Sequence, residues 1–389
     1  MSKNRDNSYI NHVIECAPPF YPIPAKGYGG TERVVDGIIK TFHDRARAGT
    51  LPITYELRAP GDSYADLQGD AKPVLSPTIQ HSLGVTKPFE AQALMMTDMH
   101  LIRHLLRANP HAAAHIHIED LHIPILGQDP QLAAQTLTTL HNPVKAWYHD
   151  YKYMPLVAIS EAQKKLLGIS DFDFVEVVHN GIDERLFTPE FDIGPDSPLT
   201  FLGRFSPDKN PEDAVKIALG ADIPVKLAGP VDKQHPECLE RIMQYQRQHG
   251  EGSVSYVGSV TDEYDPALGR SAKNAFLAAS RGMLFPIKWA EPFGLVIAEA
   301  NACGTPVIAF NAAGSAVPEL IKNGVNGFIV NNVAEAIQAV KNLKYIDRRG
   351  VYVYFKEHFT SRAMGDKYMN ILVEKLPAYR RSLRPLAFA

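Results

Sequence analysis

Along the chain, two hydrophobic periods alternate. Short apolar, β-branched runs stand at Tyr9–Cys16, Ile53–Arg58, Ala114–Ile118, Thr136–Leu140, Leu156–Ser160 and Phe174–His179, each the length of a strand. Between them, apolar residues return once per helical turn over Thr31–Ala48 and Phe89–Ala108. Strands separated by amphipathic helices predict a parallel sheet covered on both faces.

The segment Asp183–Pro198 interrupts this rhythm: it carries Pro189, Pro195 and Pro198 and no period, which predicts a linker. The alternation then restarts. Strands are predicted at Leu199–Arg204, Val225–Ala228, Val254–Val257, Gly282–Phe285, Pro306–Phe310 and Gly327–Val330. Helices are predicted at Pro211–Leu219, Glu237–His249, Ala267–Ala279, Gly294–Ala302 and Val333–Leu343. The expected fold class is therefore α/β, with two Rossmann-like, doubly wound domains facing a central cleft at the carboxyl ends of their strands. The expected boundaries are 1–190 for the first domain and 191–365 for the second. A helical spacing over Ser361–Leu376, followed by Arg380, Arg381 and Arg384, predicts that 366–389 returns to the first domain as a C-terminal helix and tail.

Composition narrows the function. The chain has 389 residues, 45% hydrophobic and 21% charged, with a net charge of -3. That is the balance of an ordinary globular chain and removes the electrostatic reason to expect nucleic acid. The charge is unevenly spread. Up to Asp192 there are 17 Lys and Arg against 23 Asp and Glu, and 12 of the 15 histidines precede residue 190. Cys16, Cys238 and Cys303 are far apart and form no CxxC pair, which fits a reducing compartment. Met1–Ser8 lacks an apolar stretch, and no run is long enough to span a bilayer, so the expected location is cytoplasmic with no membrane association indicated.

Three motifs carry chemistry. In Glu291-Pro-Phe293-Gly294-Leu295-Val-Ile-Ala-Glu299, a predicted strand runs through a glycine turn into a helix. Free N–H groups at a helix start suit a phosphate or sugar oxygen. Glu291 lies before the helix and Glu299 more than a turn inside it, so the two carboxylates can reach two parts of one extended ligand. Surface glutamates are the competing reading of Glu299 taken alone. In Phe201-Leu-Gly203-Arg204-Phe-Ser-Pro-Asp-Lys209, two cations follow the end of a strand, a placement that suits a diphosphate. Solvated loop charges are the alternative. In Gly27-Tyr-Gly29-Gly30-Thr31, paired glycines permit close backbone approach and Thr31 is a plausible N-cap. This string is not GxGxxG, so it is no dinucleotide fingerprint.

Together these strings resemble the family 4 retaining glycosyltransferases of the GT-B fold, the glycosyl transferases group 1. Glu291 and Glu299 match that family's E-x7-E motif, and Gly203, Arg204 and Lys209 its GR-x4-K motif, with Asn210 where the family usually has glycine. His179–Asp183, Gly29–Val35 and Gly314–Leu320 resemble further segments of it. The resemblance implies a hexosyltransferase that takes a nucleotide diphosphate sugar of UDP, GDP or ADP type and retains the anomeric configuration, without metal or other cofactor. It implies that Arg204 and Lys209 neutralise the leaving diphosphate and Glu299 binds the ribose. Glu291, with the backbone of Phe293, Gly294 and Leu295, would hold the donor sugar, and Gly29 and Gly30 would close over the phosphates. The acceptor would be a sugar, lipid-linked or small-molecule hydroxyl.

His115-Ile-His117-Ile-Glu119 places three titratable residues on one face if it is a strand. The family resemblance implies a catalytic role for His117, near the donor sugar and acceptor. A metal site is the second reading, but no further ligand cluster of fitting spacing follows, and sheet histidines satisfied by backbone are the third. Trp147 and Tyr148 belong to an aromatic cluster that suits the face of an acceptor sugar, against packing under a loop. Trp289 has the same two readings for the donor sugar. A sugar-nucleotide epimerase of the same fold, or a sugar-nucleotide-binding protein without turnover, remains the alternative to transfer. The acidic first half favours a neutral or cationic acceptor.

Overall fold

The protein is described from a computed structural model, which covers residues 9–25, 29–63, 81–83, 88–118, 122–142 and 146–383. It divides into two units, 1–181 with 361–389, and 182–360.

The first unit is built on six strands: β1 (His12–Cys16), β2 (Thr54–Arg58), β3 (Ala112–Ile116), β4 (Thr136–Leu140), β5 (Leu156–Ala158) and β6 (Val175–Val177). All pair in parallel, in the order β2-β1-β3-β4-β5-β6. The order reverses direction at β1 and β3, which makes their carboxyl ends the switch point of the sheet, the place where such sheets bind ligands. Strand alternation separates two cores. Ile14, Ala114 and Ile116 pack with Met95, Met99, Ile102 and Leu106 of helix α2 (Pro88–Ala108). Val13, Ala113 and Leu137 point the other way, onto Val34, Ile38 and Phe42 of helix α1 (Gly30–Arg47).

The chain's last helical segments, Ser361–Asn370, Ile371–Lys375 and Leu376–Leu383, complete that second layer, with Met364, Tyr368 and Leu372 in the same core. Two glycines permit the close crossing with α1. A Cβ on Gly37 would lie 2.6 Å from Ser361 Oγ, and one on Gly365 would lie 2.6 Å from Thr41 Cβ. The first unit therefore reclaims the chain at Ser361, five residues earlier than expected.

The second unit carries β7 (Leu199–Leu202), β8 (Val225–Ala228), β9 (Val254–Tyr256), a small antiparallel pair β10 (Tyr264–Asp265) and β11 (Arg270–Ser271), and then β12 (Gly282–Phe285), β13 (Val307–Phe310) and β14 (Gly327–Val330). Its main sheet has the order β14-β13-β12-β7-β8-β9 and is again parallel, with the switch point between β12 and β7. The helix expected over Ala267–Ala279 is shorter, Ala272–Ala278, because Ser271 caps it by accepting from Asn274 N–H and the residues before it pair as a hairpin. The helix Arg348–His358 was not anticipated.

The boundary expected at 190 is displaced to Ile182. Ile182 N–H donates to Phe359 O at 2.8 Å, tying the start of the unit to its end. The expected linker Asp183–Pro198 is likewise docked: Arg348 Nε donates to Glu190 O at 2.7 Å, and Asn274 Nδ2 to Thr188 O at 3.0 Å. Proline removed the period there without removing the packing. Among the described residues, no helix is long and apolar enough to cross a membrane.

Candidate active site

In the second unit, Gly203, Arg204 and Lys209 follow the end of β7 and Glu291 follows the end of β12, the two strands that flank the switch point of its sheet. Gly203 and Arg204 leave the end of β7 beside Gly229, which follows β8. A Cβ on Gly229, whose φ is +139°, would lie 1.9 Å from Gly203 O, so the two loops meet backbone to backbone. Arg204 is 48% exposed and faces Asp232 at 3.5 Å and Asp208 at 3.8 Å.

Lys209 forms an ion pair with Glu291. Trp289 Nε1 donates to Glu291 Oε2 at 3.1 Å, and Lys209 Nζ lies 5.0 Å from the Trp289 ring centre. Three residues from two loops thus form one cluster, a charged pair backed by an aromatic face. Beside it, at the ends of β12, β13 and β14, a hollow of about 500 Å³ is lined by Trp289, Phe310 and Asn311.

Asn210, which stands where the resembled family has glycine, takes the left-handed backbone (φ 56°, ψ 55°). Asparagine tolerates that region better than most residues. Its side chain adds what glycine lacks: Nδ2 donates to Asp213 Oδ2 at 2.7 Å and to Pro286 O at 2.9 Å, fastening the β7 loop to the β12 loop. The turn is kept and its position is reinforced.

Phe293 is buried, and Gly294, with φ +100°, starts the helix Leu295–Ala302. Glu299 lies within that helix and is nearly buried, with Lys273 Nζ 3.0 Å from its Oε1. Lys273 also meets Asp262 at 2.8 Å. Lys273 escaped the sequence reading because nothing in its neighbourhood marks it: it is one lysine in the first turn of a short helix.

In the first unit, Gly29 has φ +143° and Gly30 opens α1, while Gly27 and Tyr28 lie outside the described residues. Gly29, not Thr31, is the N-cap. A Cβ on Gly29 would come within 2.7 Å of Ala25 Cβ, which requires glycine. Glu32, in the first turn, is buried, and that burial pushes its carboxyl up to about 7.

The histidine-rich segment ends differently from expectation. The strand stops at Ile116, and Glu119 lies outside the described residues. The acidic partner comes from β1 instead. Glu15 pairs in register with His115, and its carboxylate meets His115 Nδ1 at 3.0 Å and His117 Nε2 at 2.7 Å. His117 Nδ1 in turn lies 2.9 Å from His141 Nε2. His115 Nε2 lies 2.8 Å from the Thr139 hydroxyl, itself 3.0 Å from the Tyr368 hydroxyl. The ligating atoms of Glu15, His115 and His117 all fall within 4.8 Å of one another, a set that can hold a metal ion. Here their bonds run to one another and to protein partners, so a cation would have to displace hydrogen bonds already made.

His117, expected to touch substrate, is enclosed, with both ring nitrogens engaged. Tyr148, expected at an acceptor site, is 1% exposed and packs with Ile123, Met154 and Leu156, so the ring face that would stack on a sugar is covered. The side chain of Trp147 lies outside the described residues.

With this geometry in hand, comparison with known proteins is direct. Residues 192–348 match the family described as Glycosyl transferases group 1. The second unit belongs to the glycosyl transferases group 1 family. The chain is similar to the D-inositol 3-phosphate glycosyltransferase of Mycolicibacterium gilvum, 31% identical over 44% of this chain and 39% of that protein. It is 25% identical to the N-acetyl-alpha-D-glucosaminyl L-malate synthase of Bacillus anthracis over 65% of this chain and 66% of that one. The chain spans about two fifths of the length of the inositol-phosphate relatives it matches, 40% in the one from Paenarthrobacter aurescens. Among solved structures, a glycosyltransferase from Rickettsia africae superposes with a TM-score of 0.65 at 16% identity, covering 94% of this chain and 98% of that one. AviGT4, a glycosyltransferase involved in avilamycin A biosynthesis, gives 0.63 at 19%, covering 96% and 98%. These likenesses establish the fold, α/β of the GT-B type, for both the first and the second unit.

Proposed function

We propose that the protein is a retaining, metal-independent hexosyltransferase that moves a hexose from a nucleotide diphosphate sugar to an acceptor hydroxyl. One observation supports the reading: Lys209 and Glu291, 82 residues apart in sequence, pair beside the switch point between β7 and β12, where Arg204 also leaves the end of β7.

The chemistry follows from that arrangement. Breaking the bond between the sugar carbon and the phosphate oxygen leaves negative charge on the diphosphate. Arg204 and Lys209 are fixed cations there, and fixed charges stabilise developing charge without reorganising. The carboxylates that now face them, Asp208, Asp232 and Glu291, hold their positions until phosphate oxygens compete for the same N–H groups. Glu299, held by Lys273, accepts hydrogen bonds from ribose hydroxyls. Trp289 lines the hollow that would receive the sugar and donates its indole N–H to Glu291 beside it. Protein cations take the role a divalent ion plays elsewhere, so no cofactor is required.

A thermal-shift series with UDP, GDP and ADP sugars in the presence of a chelator tests this reading. A cognate donor at a hundredfold its Kd stabilises by about 2.7 kcal/mol. No shift with any nucleotide sugar, or transfer that vanishes with the chelator and returns with a divalent ion, would defeat it. The anomeric configuration of the product, read by NMR, decides retention.

A further inference from the structure

Trp289 stands beside both charged residues of the second unit's cluster, and a tight turn puts it there. Glu291 N–H donates to Trp289 O at 2.9 Å, closing a three-residue turn that sets the indole next to the carboxylate. Glu291 O in turn accepts from Ala316 N–H at 2.9 Å, so the backbone that carries the carboxylate is pinned on both sides. The side chain is then fixed by two donors that meet one atom: Lys209 Nζ and Trp289 Nε1 both donate to Glu291 Oε2. Among the described residues, no donor meets Oε1.

The lysine is held by more than the carboxylate. Its Nζ lies 5.0 Å from the Trp289 ring centre and 5.9 Å from that of Phe285. Aromatic faces attract a cation whichever anion it is paired with, so this hold survives an exchange of anions. The two donors on Oε2 respond differently to such an exchange. An ammonium is drawn to the more highly charged acceptor, and a diphosphate competes with a carboxylate for it. An indole is neutral, carries one N–H and accepts nothing, so it stays with the carboxylate.

We propose that Trp289 is a positioning residue for transfer: when Lys209 turns from Glu291 to the diphosphate, the indole N–H keeps Glu291 in place and the indole face keeps the ammonium beside it. Glu291 then offers Oε1 to a hydroxyl of the donor sugar while Oε2 stays held. This inference rests on the reading as a glycosyltransferase and deepens it. The N–H serves the carboxylate and the ring face serves the cation, so the two duties separate by substitution. Trp289→Phe keeps a ring and removes the N–H, and Trp289→Leu removes both. Trp289 is 37% exposed, so neither substitution opens the core.

The test uses the full-length protein labelled with nitrogen-15. The chain has two tryptophans, so two indole N–H signals are assigned with Trp147→Phe. The Trp289 N–H is expected to exchange with water on the order of tenfold more slowly in the wild type than in Glu291→Leu, and to stay slow in Lys209→Met, which mimics the departed lysine. Exchange in Lys209→Met as fast as in Glu291→Leu overturns the proposal whether or not any activity has been found. In transfer assays, Trp289→Phe is expected to lower kcat on the order of tenfold while the KM for donor stays within about threefold, and Trp289→Leu to raise that KM on the order of tenfold as well. A folded Trp289→Phe protein with wild-type kcat, or with a KM raised as far as in Trp289→Leu, also overturns it. A wild-type protein that binds no nucleotide sugar defeats the proposed function and leaves the exchange measurement standing. If Trp289→Phe fails to fold, exchange in the wild type and in Lys209→Met still decides.

Discussion

Lys273 Nζ lies 3.0 Å from Glu299 Oε1, and both side chains are less than one tenth exposed. Asp262 completes the group at 2.8 Å. A buried cation shared by two carboxylates is costly to break, because removing it leaves both anions desolvated and unpaired. Lys273→Met is expected to destabilise the protein by about 3–5 kcal/mol in urea unfolding. Lys273→Met combined with Glu299→Leu should regain much of that stability while nucleotide-sugar binding stays lost. A double variant that binds the donor as the wild type does would remove Glu299 from the site.

The Lys209–Glu291 pair separates charge from structure in the same way. Lys209 is about one fifth exposed and Glu291 about one tenth, so the loss of Lys209 leaves a mostly buried carboxylate held by Trp289 Nε1. Lys209→Met should cost about 1–3 kcal/mol of stability. On the proposed function its effect on transfer should be much larger, on the order of 10²–10³-fold in kcat, because the missing charge would be the one that meets the leaving diphosphate. Equal kcat in Lys209→Met and wild type would refute the assignment.

These pairs mark what sequence makes legible. Strands of apolar and β-branched residues buried on both faces, such as Thr136–Leu140 and Gly282–Phe285, stand where the pattern puts them. Lys209 and Glu291 sit in local strings that follow the ends of β7 and β12, so their pairing beside one switch point was foreseeable. Glu15 and Lys273 were not, since each gains its meaning from a partner distant in sequence, His115 and Glu299 respectively. Tyr148 went astray for the opposite reason: an aromatic ring reads alike whether it packs in the core or faces a sugar, and here the core has it.

Buried neutral histidines tie stability to pH. His117 and His122 are both held down to about 4 by burial, against 6.5 in the open chain. Between those values the unfolded chain binds more protons than the folded one, so stability rises with pH across that window and is lost as pH falls from 6.5 towards 4. Each should contribute on the order of 3 kcal/mol. Glu15, lowered to about 2, has the ordinary carboxylate sign: its contribution is complete above about 4.5 and declines only below that. Urea midpoints at pH 7.5, 5.5 and 4.5 should fall in that order, with a shallower fall in His122→Asn. Equal midpoints across the series would mean these rings are not buried neutral.

Gly229 supplies the last prediction. Its φ of +139° is a conformation that side-chain-bearing residues rarely adopt, and a Cβ there would lie 1.9 Å from Gly203 O. Backbone atoms cannot swing aside as a flexible side chain can, so the β7 and β8 loops must part. Because Arg204 follows Gly203 directly, that separation carries the guanidinium away from its place at the end of β7. Gly229→Ala is therefore expected to lose about 1–3 kcal/mol of stability and, in the fraction that folds, to weaken donor binding. Gly250 is a control with the same sign of φ, +85°, and open space where its Cβ would go. Gly250→Ala should show strain alone, with donor binding intact. If the two alanine variants bound the donor equally well, the contact between Gly203 and Gly229 would have no part in shaping the site.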